Sequence, residues 1–283
     1  MKTHHKKGFW YHYSRNRLAV FGLCFLLLVS LMSIFANVVA PYGYDDQNIS
    51  QRLQGPSLMH MFGTDKLGRD VFSRMIYGGR VSLGVGIAST LIGTAIALVI
   101  GMVSGYYGKW VDTAIMRVTD IFLAIPSILL AIGIAAIMGG GLMSMLIAIS
   151  IGSIPGVTRL IRALVMSERN QEYVEAARTT RASDLRIIFR YILPNISSTL
   201  IVTMTMGFAG GILNASTLSF IGLGVTAPMP EWGALLSEGR ASIQNCAYLV
   251  TYPGIAIMLT VFSFNMMGDG VRDALDPKLK GRK

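Results

Sequence analysis

The chain has 283 residues, of which 52% are hydrophobic and 14% charged, and its formal net charge is +10. Soluble globular domains carry about 25% charged residues, so the composition excludes an ordinary soluble domain and indicates a membrane protein. A strongly basic chain also suits nucleic-acid binding, and the positions of the basic residues decide between these two classes.

Long apolar runs recur along the chain, and about 20 such residues are enough for a helix to cross a bilayer. Because helices satisfy their own backbone hydrogen bonds in lipid, the runs predict an all-α membrane protein with six transmembrane helices. The predicted spans are residues 18–40, 81–107, about 120–138, 142–166, about 196–216 and 248–268. The first run is longer than the apolar core of a secretory signal, about 7–15 residues, which favours a permanent anchor.

Basic residues are concentrated before the first predicted span, between the fourth and fifth spans, and after the sixth. With six spans these places share one side of the membrane, which the positive-inside rule makes the cytoplasm. Both termini are therefore predicted to be cytoplasmic, with residues 41–80 and about 217–247 external, and no nucleic-acid partner is expected. The basic residues are Lys2, Lys6, Lys7, Arg15 and Arg17; Arg159, Arg162, Arg169, Arg178, Arg181, Arg186 and Arg190; and Arg272, Lys278, Lys280, Arg282 and Lys283.

The second predicted span carries a small residue at every fourth position. These residues are Ser89, Gly93, Ala97, Gly101 and Gly105. They share one helix face, and small faces allow helices in lipid to approach closely. The pattern predicts tight helix packing and leaves open whether the contact lies within this chain or against another subunit.

The third predicted span contains a proline and begins with charged residues. Pro126 in DIFLAIPSILLAIG removes a backbone donor and crowds the preceding turn, so it predicts a kink. Such a bend suits a plain bundle and a transport pathway equally. Asp112, Arg117 and Asp120 are expected at the cytoplasmic interface, where Arg117 and Asp120 are spaced to pair.

Charged and apolar residues interleave at helical spacing in residues 171–195. Asn170 is the predicted N-cap of a first short helix, and Ser183 of a second, which Pro194 should end before the fifth span. The apolar face predicted for the second helix is Leu185, Ile188, Phe189 and Ile192. This pattern predicts a helix–turn–helix on the membrane surface, either as a plain connector or as a docking surface for a soluble partner.

Motifs for chemistry are absent from the sequence. There is no G-x-x-x-x-G-K-[ST] phosphate loop and no H-E-x-x-H, the histidines form no catalytic cluster, and the two cysteines lack metal-ligand spacing. We therefore expect no metal, no cofactor and no catalytic residue, and a transporter or channel subunit rather than a membrane enzyme. A secondary transporter without ATP coupling is the alternative, although no inverted repeat or midplane charge is clear.

The stretch EYVEAARTTRASDLRIIFRYILPN, residues 172–195, resembles the cytoplasmic EAA loop of binding-protein-dependent ABC importer permeases. Glu175, Ala176 and Ala177 match the motif's start, and the tripeptide ILP at 192–194 matches its end. The resemblance implies a coupling helix that docks in a cleft of an ATPase subunit. It carries this role to Glu172, Tyr173, Glu175, Ala176, Ala177, Arg181, Ala182, Ser183 and Asp184.

Arg181 stands where the family pattern has glycine. The family's glycine is expected at the turn between the two short helices, where a positive φ is easily adopted by glycine. An arginine in that conformation costs about 1 kcal/mol or more. We therefore predict a negative φ at Arg181, with its guanidinium facing the cytoplasm and an acidic residue of the ATPase.

Further stretches resemble the C-type subunit of dipeptide, oligopeptide and nickel permeases. They are SRNRLAVFGL, VVAPYGYDDQ, FGTDKLGRDVFSRMIYGGRVSLGVG, LSFIGLGVTAPMPEWGALLSEGR and GDGVRDALDPKLKGR. The resemblance implies a type I ABC importer permease fold with a transport domain at 79–269, flanking segments at 1–78 and 270–283, and a coupling loop at about 168–194. It also implies a bacterial plasma-membrane location, a peptide or nickel substrate, and as partners a B-type permease subunit, two ATP-binding subunits and an external solute-binding protein.

Overall fold

The computed structural model describes residues 9–275, which are helical over most of their length. The helices are α1 (Phe9–Arg15), α2 (Arg17–Ile34), α3 (Ala36–Val39), α4 (Val71–Tyr107), α5 (Lys109–Leu123), α6 (Ser127–Ile137), α7 (Leu142–Arg169), α8 (Glu172–Thr179), α9 (Asp184–Ile187), α10 (Leu193–Phe220), α11 (Trp232–Gly239) and α12 (Tyr248–Leu275). Short 3₁₀ turns lie at Ile49–Gln51 and Arg240–Ser242, and a π-helical turn, Ile188–Ile192, joins α9 to α10. Most of the tail predicted as 270–283 lies outside the described residues.

Six membrane crossings are available in the described chain. Helices α2, α4, α7 and α12 and the continuous segment Asp184–Phe220 are each long and apolar enough to cross, and α5 with α6 supplies the sixth as a pair bent by 84°. The prediction of an all-α membrane protein with six transmembrane helices is confirmed.

Two spans differ most from their predicted bounds. Helix α4 begins at Val71 rather than at residue 81, because the Asp70 carboxylate caps it by accepting from the Ser73 N–H at 2.7 Å. The third span is broken rather than kinked: α5 ends at Leu123, and Pro126 precedes a separate α6 at a steep angle. Proline disfavours helical geometry in the residue before it, which allows the chain to turn here.

The acidic residues of α5 pair with the neighbouring helix α7. Asp112 accepts from Arg162, with Oδ2 2.5 Å from Nη2, and Asp120 pairs with Arg159. The predicted pair of Arg117 with Asp120 is therefore wrong, because the Asp120 carboxylate faces α7 instead of lying back along α5. These two ion pairs attach α5 to the bundle.

The small-residue face of α4 contacts α7 of the same chain, and all five of its residues are buried. A methyl group added to Gly101 would lie 2.8 Å from Cβ of Ile161, and one added to Gly105 would lie 2.8 Å from Cβ of Val165. The close approach of the two helices therefore depends on these glycines. Helix α4 also contacts α2, α10 and α11, so it forms the centre of the bundle.

The segment at 41–70 is fixed to the bundle by four charged residues, which we name the external quartet: Asp65, Arg69, Arg74 and Glu238. The Asp65 carboxylate is 2.7 Å from Arg69 and 2.9 Å from Arg74. Glu238 of α11 is 2.8 and 2.7 Å from the same two arginines. The first three residues are at most 5% exposed. The quartet therefore joins the two stretches predicted to be external.

The predicted sidedness is testable with single cysteines in a background that lacks Cys24 and Cys246. Ser50 lies exposed before α4, and Thr179 lies exposed at the end of α8. An impermeant maleimide added to intact cells should label Ser50→Cys, and should label Thr179→Cys only after permeabilisation. Equal labelling of both variants in intact cells would contradict the topology.

Candidate functional site: the cytoplasmic loop between α7 and α10

Residues 170–192 connect α7 to α10 and are referred to as the coupling loop. Helix α8 follows α7 after a short turn, and α9 runs through the π turn directly into α10. Pro194 therefore does not end a helix as predicted, since the helix is continuous over Asp184–Phe220. The wider π turn just before Pro194 accommodates the missing donor and the bulky ring.

The inner side of the coupling loop is buried. Its buried residues are Val174, Ala177, Ile187, Ile188 and Ile192, which pack with Tyr106, Ile161 and Val165 at the ends of α4 and α7 nearest the loop. The predicted apolar face is only partly correct, because Leu185 and Phe189 are 67% and 59% exposed. Burial falls instead on Ile187, Ile188 and Ile192, at and beside the π turn.

The outer side of the coupling loop is exposed. Of the residues predicted for coupling, Glu172, Tyr173, Glu175, Ala176, Arg181, Ser183 and Asp184 are exposed, Ala182 is half-buried and Ala177 is buried. Ala177 therefore packs in the core and offers nothing to a partner. The outer side combines two carboxylates in the first turn of α8 with the apolar side chains of Leu185 and Phe189. Large apolar side chains rimmed by charges are typical of protein-binding surfaces.

Tyr106 links the coupling loop to the end of α4. Its hydroxyl donates to Asp184 Oδ1 at 2.7 Å, and the Arg178 guanidinium lies 5.7 Å from the centre of its ring. Arg169 donates to the Tyr106 carbonyl at 2.8 Å. The loop and the central helix are therefore in direct contact through Tyr106. Tyr106 was not among the predicted coupling residues, and its only signal in the sequence is an aromatic residue at the end of a predicted span.

Tyr173 fixes the beginning of α8. Its hydroxyl donates to the Glu168 carboxylate and accepts from Asn195 Nδ2 at 3.1 Å. Burial and the hydrogen bond to Glu168 together raise the pKa of Tyr173 to about 12. The phenol therefore stays protonated at cellular pH and keeps its role as a donor.

The turn between α8 and α9 contradicts the prediction for Arg181, whose φ is +57°. The Arg181 N–H donates to the Arg178 carbonyl at 2.9 Å, and the Ala182 N–H donates to the Ala177 carbonyl at 3.1 Å. These are the paired hydrogen bonds of a Schellman helix end, in which the residue after the cap is left-handed. Ala182 also packs on the buried core. Together these contacts outweigh a conformational cost of about 1–2 kcal/mol.

The predicted helix caps also differ from the structure. Gln171 occupies the N-cap position of α8, whereas Asn170 is the C-cap of α7, because α7 extends to Arg169. Ser183 is at the N-cap position of α9, as predicted, but its side chain makes no cap hydrogen bond in the described chain.

Replacing Arg181 by glycine is expected to stabilise the protein. Glycine removes the left-handed cost of about 1–2 kcal/mol but adds an entropic cost of folding of about 0.5–1 kcal/mol, so the net gain in stability is up to about 1.5 kcal/mol. Arg181→Ala is the matched control, because it removes the same side chain and keeps the backbone cost. Thermal unfolding of the purified protein would contradict the prediction if Arg181→Gly melts at or below Arg181→Ala.

Comparison with known proteins identifies the family. Residues 97–281 match the family described as binding-protein-dependent transport system inner membrane component, and residues 7–56 match the N-terminal TM domain of oligopeptide transport permease C. The chain belongs to the binding-protein-dependent permease family. This permease is thus a membrane-spanning subunit of an ABC importer and not an enzyme.

Curated relatives align over nearly the whole permease. The dipeptide transport system permease protein DppC of Alkalihalophilus pseudofirmus is 48% identical over 94% of this chain and 88% of its own. DppC of Haemophilus influenzae is 45% identical over 96% and 94%. The glutathione transport system permease protein GsiD of Escherichia coli O157:H7 is 43% identical over 96% and 90%.

A solved structure supports the fold of the permease. A chain of the MetNI methionine ABC transporter in an inward-facing conformation matches 72% of this chain and 97% of its own, with a TM-score of 0.59 and 18% identity. At that identity the match bears on the fold alone, and it confirms the predicted type I importer permease fold.

Proposed function

We propose that this permease is the C-type half of a heterodimeric pathway that imports di- or oligopeptides, and that its coupling loop contacts an ATPase subunit. The observation that carries the proposal is the two-sided coupling loop, exposed on one side and tied to α4 through Tyr106 on the other. A plain connector needs neither the exposed Leu185 and Phe189 nor the link to the central helix. The names of the aligned relatives, for dipeptide and glutathione transport, support a peptide substrate.

The proposed assembly lies in the bacterial inner membrane. A B-type permease subunit pairs with this chain, two ATP-binding subunits lie on the cytoplasmic side, and a solute-binding protein delivers peptide to the external side. The transport domain is proposed to be 79–269, with 1–78 and 270–283 flanking it. The relatives' identities of 43–48% over nearly the whole chain support this arrangement.

The proposed mechanism is a linked switch between inward-open and outward-open states. ATP binding closes the ATPase pair and displaces the coupling loop. Tyr106, Asp184 and Arg178 pass the displacement to α4, which contacts α2, α7 and α10. ATP drives the switch only because it binds one state more tightly than the other.

Uptake of radiolabelled dialanine by proteoliposomes tests this function. The complete transporter is reconstituted with ATP on the ATPase side and binding protein on the other. We expect uptake to require both, and to continue when ionophores collapse the ion gradients. Uptake driven by a proton or sodium gradient without ATP would overturn the proposal in favour of a secondary transporter.

A further inference from the structure

A cavity of about 200 Å³ lies between α4, α6, α7 and α10, away from the coupling loop. No charged residue of the described range 9–275 lines it, and its polar lining residues are Thr90, Thr94, Ser127, Ser153, Thr203 and Asn214. Gly152 and Gly207 of its lining lie near the middle of the 28-residue helices α7 and α10. The cavity is therefore close to the bilayer midplane.

The break in the third span lies at this cavity, because α6 begins with Ser127, which lines it. Helix α6 has 11 residues. At 1.5 Å per residue that is about 16 Å, or about half of the hydrocarbon core, so its N-terminus lies near the midplane. The N–H groups of Ser127, Ile128 and Leu129 have no acceptor in the described chain, since the first hydrogen bond of the helix runs from Leu130 to Pro126. Free N–H groups and the positive end of the helix dipole together favour an anion.

A second observation, on a different helix, also indicates a ligand. Thr94 of α4 is 5% exposed and lines the cavity, and its side chain makes no hydrogen bond to any residue of 9–275. The nearby Thr90 behaves differently, because its hydroxyl donates to the Gly86 carbonyl of its own helix at 2.9 Å. Half-buried Asn214 lines the cavity and has no side-chain hydrogen bond in the same range. Buried polar groups normally have partners, so the Thr94 hydroxyl is available to a ligand, and the Asn214 amide lies beside it in the same lining.

We infer that the cavity binds the carboxylate of the passing solute, which for a peptide is its C-terminal carboxylate. The free N–H groups of α6, the Thr94 hydroxyl and the Asn214 amide donate to it. The inference rests on the proposed peptide import. The volume suits one end of a peptide, since pockets that enclose a whole drug-sized ligand measure about 300–1,000 Å³.

The position of the cavity supports a pathway rather than a closed site. It opens at Ser127 and Gly210, which are exposed on the surface of this chain. Polar lining at midplane depth is unfavourable against lipid, so this face borders water or the second membrane subunit. The lining has no basic side chain, and a binding site without a full opposite charge releases its ligand readily, as conduction requires.

The test measures initial rates of uptake of dialanine and of dialanine amide by the complete transporter, in the wild type and in Thr94→Val, which keeps the side-chain shape and loses the hydroxyl. The measured quantity is the acid-to-amide ratio, the rate for dialanine divided by the rate for dialanine amide. The same binding protein serves every variant, so its own preference cancels when the ratios of variant and wild type are compared. Loss of a hydrogen bond to a charged group should lower the acid-to-amide ratio about tenfold. Thr205→Val is the matched control: Thr205 is also 5% exposed, but its hydroxyl donates to Ile201 at 2.8 Å, so the ratio should not change.

Asn214→Asp places a negative charge in the cavity with little change of shape. This variant tests the inference with dialanine alone, so it applies even if the wild type takes up no measurable dialanine amide. We expect it to lower dialanine uptake while ATP hydrolysis stimulated by the binding protein stays at the wild-type level. An unchanged ratio in Thr94→Val, or unchanged dialanine uptake in Asn214→Asp, would overturn the inference. A wild-type transporter that imports neither compound would overturn the peptide function itself, whereas changes confined to the variants bear on the cavity alone.

Discussion

Glu175→Arg is expected to impair ATP-driven uptake strongly while the permease remains folded and inserted. Glu175 lies exposed on the outer side of the coupling loop, so reversing its charge leaves the buried core intact. At an interface with an ATPase, a reversed charge meets groups arranged for a carboxylate, which typically costs a few kcal/mol. Uptake should therefore fall by about tenfold or more. Uptake, copurification with the ATPase pair and stimulated ATP hydrolysis are the measurements.

Asp45→Arg is the matched control for this prediction. It makes the same charge change at a residue that is also exposed and lies in the segment predicted to be external. The control should copurify with the ATPase pair as the wild type does. Normal uptake together with normal stimulated hydrolysis in Glu175→Arg would remove this residue from the coupling surface.

The membrane spans could be predicted because their signal is additive along the chain. Each residue of α7 contributes its own transfer free energy, so the predicted start of the fourth span coincides with Leu142. The ends of the helices were less predictable where a cap or a local change of helix type determines them. Helix α4 gains its first turns from the Asp70 cap, and the π turn at Ile188–Ile192 carries the helix past Pro194. A sum of residue hydropathies has no contribution from a side-chain cap or from a π turn.

The coupling loop was located by its motif, but its conformation was not predictable from single residues. The free-energy cost of a positive φ at Arg181 depends on that residue alone, and from the sequence it could be weighed only against a negative φ at the same residue. The contacts that overcome it, through the Schellman hydrogen bonds and the packing of Ala182, exist only once α8 lies on the bundle. The same limit explains the partner of Asp120, because Arg159 is near it only after α5 packs on α7.

Arg74→Met is expected to destabilise the permease by about 3–5 kcal/mol, because the two carboxylates of the quartet are left with Arg69 alone and one negative charge is uncompensated. Arg74 is 1% exposed and joins Asp65 at 2.9 Å to Glu238 at 2.7 Å, so two carboxylates lose a shared cation. Arg52→Met removes an exposed arginine from the same external segment and should change the unfolding free energy by about 0.5 kcal/mol or less. Thermal unfolding in detergent measures both. Equal melting temperatures for the two variants would contradict the structural role of the quartet.

The pH dependence of the melting temperature provides an independent test of the quartet. Burial alone would raise the pKa of Glu238, but hydrogen bonds from Arg74 and the charges of Arg74 and Arg69 hold it below its ordinary value of 4.5. A carboxylate with a lowered pKa stabilises fully above its unfolded-state value, and the contribution is lost only as pH falls through the folded-state value. The wild type should therefore not gain stability through Glu238 between pH 7.5 and 5.

In Arg74→Met the sign reverses. Hydrogen bonding to Arg74, the main cause that lowers the pKa of Glu238, is gone. Burial and the charge of Asp65 should then outweigh the charge of Arg69, which still lowers this pKa, so the pKa of Glu238 should rise above its unfolded-state value. A group of this kind binds its proton more tightly when folded, so stability increases as pH falls. The melting temperature of Arg74→Met should rise on going from pH 7.5 to 5, and adding Glu238→Gln should remove most of that rise. A variant whose melting temperature follows the wild-type pH curve would show that Glu238 keeps a compensating charge without Arg74.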